Sequence, residues 1–248
     1  MTTSALIEVD QVSKWFGGVQ AVDKLSMQVR EGEILGLIGP NGAGKTTVFN
    51  LISGVQNPTS GAIRLRGQDL GRMRPDQVCA AGIARTFQTA SFLPGMTAYE
   101  NVMLAAAFRP AAKRRVRDDH LVTEAALEAT GLSDEADTPA ELLNVSEQKR
   151  LEIARAMASE PLVMMTDEVV AGLNPTETNE VLEILRRLNR AGMTLVFVEH
   201  DVRAVLSVCT RLVVLAQGSL LAEGDPSTVA RSPEVVRVYL GSRYARNQ

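Results

Sequence analysis

Residues 34–46 read Ile34-Leu35-Gly36-Leu37-Ile38 and continue directly into Gly39-Pro40-Asn41-Gly42-Ala43-Gly44-Lys45-Thr46. The first five residues form a short apolar run, which is typical of a buried strand. The next eight match G-x-x-x-x-G-K-[ST], a glycine-rich loop that follows a strand and opens a helix. Such a loop turns backbone N–H groups toward a polyphosphate, and the helix adds the positive end of its dipole. The stretch therefore predicts a nucleotide-binding α/β fold, and an incidental glycine-rich turn is the alternative.

Two side chains of this loop and two later carboxylates suit nucleotide hydrolysis. Lys45 can reach the terminal phosphates, and the Thr46 hydroxyl can bind Mg²⁺. Asp167 and Glu168 follow a second apolar run, residues 162–166. In phosphate-loop enzymes a strand-end Asp holds Mg²⁺, and a carboxylate one position later can deprotonate the attacking water. Without the loop this pair would mean little, since strand ends often carry carboxylates.

His200 follows the next apolar run, residues 194–198. A lone histidine is more often structural, but ligands in open α/β sheets bind outside the carboxyl ends of the strands. We therefore expect His200 to bond the γ-phosphate. Gln88 lies where the sheet region gives way to a helical one, and a surface amide is its alternative role.

Composition narrows the function classes. The net charge of −3 and the pI near 5.6 argue against a general nucleic-acid binder. With two histidines a His-built metal site is not expected, and no apolar run reaches the length of a membrane span.

The order of predicted elements is mixed. Alternating runs near residues 6–9, 25–29 and 61–65 predict a partly antiparallel first region. Residues 97–159 have a helical pattern, and residues 162–198 predict a βαβ unit whose helix ends at Gly192. Residues 212–222 predict a hairpin, and the last helix is predicted from Pro233 to Leu240. The five basic residues between Arg109 and Arg117 predict a solvated face rather than a nucleic-acid or lipid contact.

Together these residues resemble the ATP-binding cassette (ABC) family, the ATPase subunits of ABC transporters, over nearly the whole chain. The resemblance implies an α/β fold of the P-loop NTPase type, with a RecA-like core, an antiparallel β subdomain and an inserted α-helical subdomain. It implies one ABC ATPase domain over residues 1–248. The core and its antiparallel part would take residues 1–88 and 160–240, and the helical subdomain residues 89–159.

The resemblance also assigns roles to single residues. Phe16 would stack on adenine, with core packing as the alternative, and Gln88 would link Mg²⁺ to a membrane partner. The implied ATP-binding residues are Phe16, Gly39, Asn41, Gly42, Ala43, Gly44, Lys45, Thr46, Thr47, Asn144, Ser146 and Glu147. The implied catalytic residues are Lys45, Gln88, Glu168 and His200, and the implied Mg²⁺ ligands are Thr46, Gln88 and Asp167.

Finer strings resemble the branched-chain amino-acid importer ATPases, and within them the larger of the two paired ATPases. These strings are residues 16–22, 85–88, 151–156, 172–175 and 238–241. The implied partners are a second ABC ATPase, two transmembrane permease subunits and, indirectly, a solute-binding protein. The implied location is peripheral, at the cytoplasmic face of the inner membrane. Relatives that handle urea, amides or aromatic acids leave the solute open.

The chain departs from the family at the signature sequence, Leu-Ser-Gly-Gly-Gln or a near variant. It has Leu143-Asn144-Val145-Ser146-Glu147, with neither glycine. In the family this segment opens a helix whose N-terminus faces the γ-phosphate on the other subunit, and the side chains of Val145 and Ser146 would hinder that approach. Asn144 could replace the usual Ser as a donor.

The resemblance assigns the Walker B motif to the segment that ends in Asp167 and Glu168. This segment is altered too, with Thr166 at a usually apolar position and Val169 after the Glu where Pro is usual.

The altered signature predicts a heterodimer with two unequal sites, although the variant signature could still function and a homodimer is possible. The competing functions are a nucleotide-binding regulatory subunit with little turnover and a non-transport ABC ATPase acting on ribosomes or DNA. One cassette in 248 residues disfavours the ribosome and DNA classes.

Overall fold

The chain is described from a computed structural model, which covers residues 5–86 and 92–244, with side chains up to residue 239. Its internal contacts divide it into two compact units. The first contains residues 1–78 and 194–248, and the second contains residues 79–193.

The first unit contains two sets of strands. The antiparallel sheet has the order β2-β1-β4-β5, formed by β1 (Ala5–Phe16), β2 (Val19–Arg30), β4 (Ser60–Leu65) and β5 (Gln68–Asp69). The other set has the order β10-β9-β3-β8, formed by β3 (Ile34–Ile38), β8 (Thr194–Val198), β9 (Arg211–Ala216) and β10 (Ser219–Gly224). The predicted antiparallel region and the predicted hairpin are both confirmed.

β3 is the central strand of its set. All five of its residues are buried, as its unbroken apolar sequence predicts. It runs parallel to β8 and β9, with Leu37 paired to Val198 on one side and to Val213 on the other. Because parallel strands end at the same edge, the segments after β3 and β8 both start at the carboxyl edge of this sheet.

The helices of the first unit lie between and after these strands. They are α1 (Lys45–Ile52), α8 (Val202–Val208), α9 (Pro226–Val229) and α10 (Pro233–Tyr244), and α2 (Pro75–Ala81) spans the boundary between the units. The last helix begins where the sequence predicts and continues four residues further. In the described ranges, none of the helices combines the length and apolar composition that a bilayer span requires.

The second unit is mainly helical. It contains the parallel strands β6 (Ile83–Arg85) and β7 (Val163–Asp167), together with α3 (Ala98–Ala107), α4 (Ala111–Arg114), α5 (Asp119–Thr130), α6 (Val145–Ala158) and α7 (Pro175–Arg190). Small and branched side chains of α3, α5 and α6 form one buried cluster, which includes Val102, Leu127 and Leu151. This cluster accounts for the helical pattern that the sequence shows over residues 97–159.

α7 illustrates how local sequence sets a helix. Its N-cap Asn174 accepts hydrogen bonds from the Thr176 and Glu177 N–H groups, while the Glu177 carboxylate accepts from the Asn174 N–H. This capping box satisfies donors that the first turn leaves unpaired. The helix ends at Arg190 and the chain turns at Gly192, where the sequence predicted the stop.

The basic segment after α3 differs from the sequence expectation. Arg109 was expected on a solvated face, but its side chain is fully buried. Its guanidinium pairs with Asp119 at 2.7 Å and with Glu160 at 2.5 Å, and it donates to the Arg117 carbonyl at 2.9 Å. Two carboxylates from different elements thus compensate the buried charge, a condition that burial of Arg requires. Arg114, Arg115 and Arg117 remain exposed as predicted.

Candidate functional site

The glycine-rich loop joins β3 to α1 in the predicted way. α1 begins at Lys45, and Gly44 precedes it with a φ of +99°. A Cβ at Gly44 would lie 2.6 Å from the Ala21 carbonyl oxygen of β2. The left-handed backbone and the close approach both require glycine at this position. The start of α1, where backbone N–H groups have no helical acceptors, therefore lies at the end of the loop.

Lys45 is buried and its ammonium faces the loop itself. It donates to the Gly39 carbonyl at 2.8 Å and to the Pro40 carbonyl at 3.1 Å. These two bonds hold the lysine side chain against the loop backbone, which surrounds phosphate in proteins with this motif. A phosphate oxygen, which carries a full charge, is a stronger acceptor for an ammonium than a neutral carbonyl.

Phe16 shares a cleft with the loop. The cleft has a volume of about 280 Å³ and is lined by Phe16, Ala21 and residues 42–47. The Phe16 side chain is 45% exposed, which does not suit the alternative of core packing. The Lys14 ammonium lies 5.2 Å from the centroid of the ring, a cation–π distance. Apolar and cationic surface thus lie beside a loop whose backbone N–H groups suit an anion. Asn41 is exposed within the loop.

His200 lies at the carboxyl edge shared by β3 and β8. It follows the buried Glu199 directly and is itself exposed. The next residue, Asp201, caps α8 by accepting from the Arg203 N–H at 2.8 Å. This cap marks the start of α8, so His200 lies in the short segment between β8 and α8.

Asp167 and Glu168 belong to the second unit, at the end of β7. Asp167 is buried, and its N–H donates to the Thr86 hydroxyl at 3.3 Å, just beyond β6. Burial lowers the pKa of Arg85, while the Asp167 carboxylate opposes that shift. Arg85 is therefore a cation close enough to influence Asp167, a neighbour that the sequence offered no reason to single out.

Glu168 has an unusual backbone. Its φ of +53° is left-handed, a conformation that costs a residue with a Cβ about 1 kcal/mol or more. Val169, which takes the position where Pro was expected, is fully buried. Thr166 is fully buried too, and among the described residues its hydroxyl has no hydrogen-bond partner. Backbone strain thus falls on Glu168 itself, and an unsatisfied hydroxyl lies beside Asp167; both features are frequent at functional sites.

The segment with the altered signature opens α6 with a capping box. The Asn144 side-chain oxygen accepts from the Glu147 N–H at 2.9 Å, and the Glu147 carboxylate accepts from the Asn144 N–H at 2.8 Å. Val145 is 55% exposed, whereas Ser146 is buried and its hydroxyl has no hydrogen-bond partner within the described ranges. A carboxylate of the chain itself therefore occupies the N-terminus of α6, where a negative charge is favoured.

Gln88 lies outside the described residues, as does Phe87.

The structure brings Phe16 together with Gly42, Ala43, Gly44, Lys45, Thr46 and Thr47 around one cleft. The Asn144–Glu147 capping box was missed from sequence, although its spacing, a capping residue followed three positions later by Glu, was the available signal. The influence of Asp167 on Arg85 had no comparable local signal.

Comparisons with known proteins agree with this geometry. A family model for ABC transporters matches residues 22–171, and a model for the branched-chain amino acid ATP-binding cassette transporter matches residues 219–245. The high-affinity branched-chain amino acid transport ATP-binding protein LivG of Salmonella typhimurium is 40% identical, over 95% of this chain and 98% of the relative.

Solved structures agree as well. An ATP-binding cassette of an ABC transporter, crystallised in its ADP conformation, has a TM-score of 0.85 and 28% identity. That match covers 96% of this chain and all of the cassette. A bacterial ABC transporter cassette solved as a dimer has a TM-score of 0.78 and 26% identity, over 89% of this chain and 98% of that chain.

Proposed function

This chain belongs to the ABC transporter ATP-binding family, and from that premise we propose that it powers amino-acid import. It is an ATPase with the ABC cassette fold. The name of its LivG relative and the match of residues 219–245 support branched-chain amino acids as the solute class. Urea, amides and aromatic acids are the neighbouring solute classes.

The cleft beside the loop is the proposed ATP site. The backbone of residues 39–47 receives the phosphates, and Lys45 exchanges its two carbonyl acceptors for phosphate oxygens. Phe16 stacks on the adenine, since an exposed aromatic ring in the same cleft offers the apolar face that a base requires. The observation that carries the proposal is this shared cleft of ring and loop.

Hydrolysis is assigned to the carboxylates after β7 and to His200. Glu168 accepts a proton from the attacking water. This role requires that its carboxylate lies within hydrogen-bonding reach of that water. His200 donates a hydrogen bond to the γ-phosphate. The proposed Mg²⁺ ligands are Thr46, Asp167 and Gln88, whose hydroxyl, carboxylate and amide oxygens are the donors that Mg²⁺ prefers. When bound, the metal ion neutralises charge on the β- and γ-phosphates.

We further propose that the two ATP sites of the assembly are unequal. Each site pairs the loop of one ATPase with the signature segment of the other. The loop, Glu168 and His200 of this chain are intact in sequence, whereas the N-terminus of α6 already holds the Glu147 carboxylate. A second anion there meets like charge, so the site that uses residues 144–147 is the weaker one. This supports a heterodimer with a second ABC ATPase, and a homodimer would make both sites weak.

The remaining proposed partners are two transmembrane permease subunits and, indirectly, a solute-binding protein. The cassette would lie at the cytoplasmic face of the inner membrane, held there by the permeases. The region after β6, around Gln88, is proposed to transmit the ATPase cycle to them.

The test is uptake by the whole transporter reconstituted in vesicles. We expect ATP-dependent, binding-protein-dependent uptake of a branched-chain amino acid, loss of uptake with Glu168→Gln, and normal uptake with Glu180→Gln. Glu180 is an exposed carboxylate on α7, which makes it a matched control. If ATP is hydrolysed but neither these amino acids nor the neighbouring solute classes are taken up, the importer assignment is wrong. If the purified transporter shows no turnover, the chain is a regulatory nucleotide-binding subunit.

A further inference from the structure

The aromatic residue of the proposed ATP cleft lies at the tip of a hairpin. Phe16 is the last residue of β1, and a turn of two glycines leads from it into β2. The pairing of the two strands changes register between Lys14 and Trp15, so the last two pairs of the hairpin lie beyond an irregularity. Phe16 is 45% exposed, so packing alone restricts the orientation of its ring only in part.

The Lys14 ammonium contacts this ring from outside the cleft. Lys14 and Phe16 lie two positions apart on β1, which places both side chains on the same face of the strand. The Lys14 Nζ lies over the ring, 5.2 Å from its centroid. Among the described residues, Phe16 lines the cleft beside the phosphate-binding loop and Lys14 does not. The ammonium therefore covers one face of the ring and leaves the side toward the cleft open.

A backbone carbonyl from another segment holds that ammonium in place. Lys14 is half-buried, and its ammonium donates to the Asn57 carbonyl at 2.7 Å. The same segment, residues 57–59 between α1 and β4, also holds the backbone of the hairpin, because the Trp15 N–H donates to the Thr59 hydroxyl at 3.1 Å. The long side chain of Lys14 is thus tied at its charged end, and its position over the ring follows from the fold.

We propose that Lys14 is a positioning residue for the nucleobase: its ammonium, held by Asn57, keeps the Phe16 ring in the orientation that stacks on adenine. The attraction between an ammonium and an aromatic face supplies the hold. A ring that already has its binding orientation loses less conformational entropy when the base arrives. The inference rests on the proposed ATP site and adds to it a residue that lies outside the cleft.

The test compares two ligands of the full-length chain, ATP and inorganic tripolyphosphate, which carries phosphates but no base. Lys14→Met keeps an unbranched side chain and removes its charge. We expect the Kd for ATP, measured by calorimetry, to rise about threefold, because an exposed cation–π contact is weak. At physiological ionic strength, which screens distant charges, the Kd for tripolyphosphate should stay the same. Lys14→Arg should restore the wild-type Kd for ATP, since a guanidinium also binds an aromatic face.

Two controls separate positioning of the ring from a general effect of charge or folding. Lys24→Met removes a cation from an exposed position on the neighbouring strand β2, and it should leave both Kd values unchanged. In a Phe16→Ala background, Lys14→Met should have no further effect on ATP binding, because the ring on which Lys14 acts is gone.

Failure of this inference and failure of the ATP site give different results. If the wild type binds tripolyphosphate but Phe16→Ala leaves the Kd for ATP unchanged, the proposed stacking site is wrong. If Phe16→Ala weakens ATP binding and Lys14→Met does not, the positioning role of Lys14 is overturned. It is also overturned if Lys14→Met weakens ATP and tripolyphosphate equally, or weakens ATP binding further in the Phe16→Ala background, because such an effect does not act through the ring.

Discussion

Two side chains give the proposed ATP cleft beside residues 42–47 its chemistry. In the proposal Phe16 supplies the apolar surface and Lys45 supplies the cation. The two residues are separated in sequence by β2 and β3. The neighbour of Phe16 on the same strand, Trp15, is almost equally exposed at 44%. Successive strand residues point to opposite faces, so these two aromatic rings provide a natural comparison.

At the residue scale we predict that Phe16→Ala weakens ATP binding about tenfold, since base stacking on an aromatic ring contributes about 1–3 kcal/mol. Trp15→Ala should leave the Kd unchanged, because the ring faces away from the cleft. Fluorescence titration with a nucleotide analogue measures both. Equal effects of the two substitutions would show that the loss comes from disturbing β1 rather than from a stacking contact.

At the scale of elements, the buried Arg109 joins the end of α3 to the start of α5 and to Glu160 after α6. Its side chain is fully buried, whereas those of Asp119 and Glu160 are 17% and 28% exposed. The pairing lowers the pKa of the Asp119 carboxyl, chiefly through the hydrogen bond from Arg109 and then that from Arg114. One side chain therefore links three elements of the helical unit.

We expect Arg109→Met to destabilise the protein by about 2 kcal/mol, because two carboxylates and the carbonyls of Ala106 and Arg117 lose a buried donor. Arg114→Met is the matched control: Arg114 pairs with the same Asp119 but is 49% exposed. Its loss should cost less than about 0.5 kcal/mol. Chemical denaturation followed by circular dichroism measures both, and equal losses would contradict a structural role for the buried guanidinium.

The sequence alone predicts those parts of the fold that are decided by a local pattern. β3, the glycine-rich loop and α1 follow from thirteen adjacent residues, and the hairpin follows from two alternating runs around Gln217-Gly218. The backbone hydrogen bonds of Gly218 with Ala43 and Asp23 join residues far apart in sequence. No local pattern indicates these bonds, because they are decided by how the strands pack.

Runs of like charge predict burial less well than the spacing of apolar and capping residues predicts helices and strands. A run of basic residues predicts solvent exposure, and Arg109 departs from it because two distant carboxylates converge on its guanidinium. The spacing of Asn144 and Glu147 indicates a capping box, although the same residues also align with the family signature, which implies phosphate binding. The roles of Glu168, His200 and Gln88 remain predictions.

In the proposed assembly, this chain contributes two unlike parts. It brings a complete phosphate-binding loop, which packs against β2, β9 and the turn between β9 and β10. It also brings an α6 N-terminus that its own Glu147 carboxylate already occupies. If each ATP site pairs a loop with a signature segment, one site is built well and the other poorly.

The most direct test is the steady-state ATPase rate of the purified transporter with one ATPase altered at a time. Glu168→Gln in this chain disables the well-built site, so we predict loss of most of the activity, about tenfold or more. The equivalent Glu→Gln change in the partner ATPase disables only the poorly built site and should leave most of the rate. Equal losses from the two substitutions would contradict the proposal that the two ATP sites are unequal.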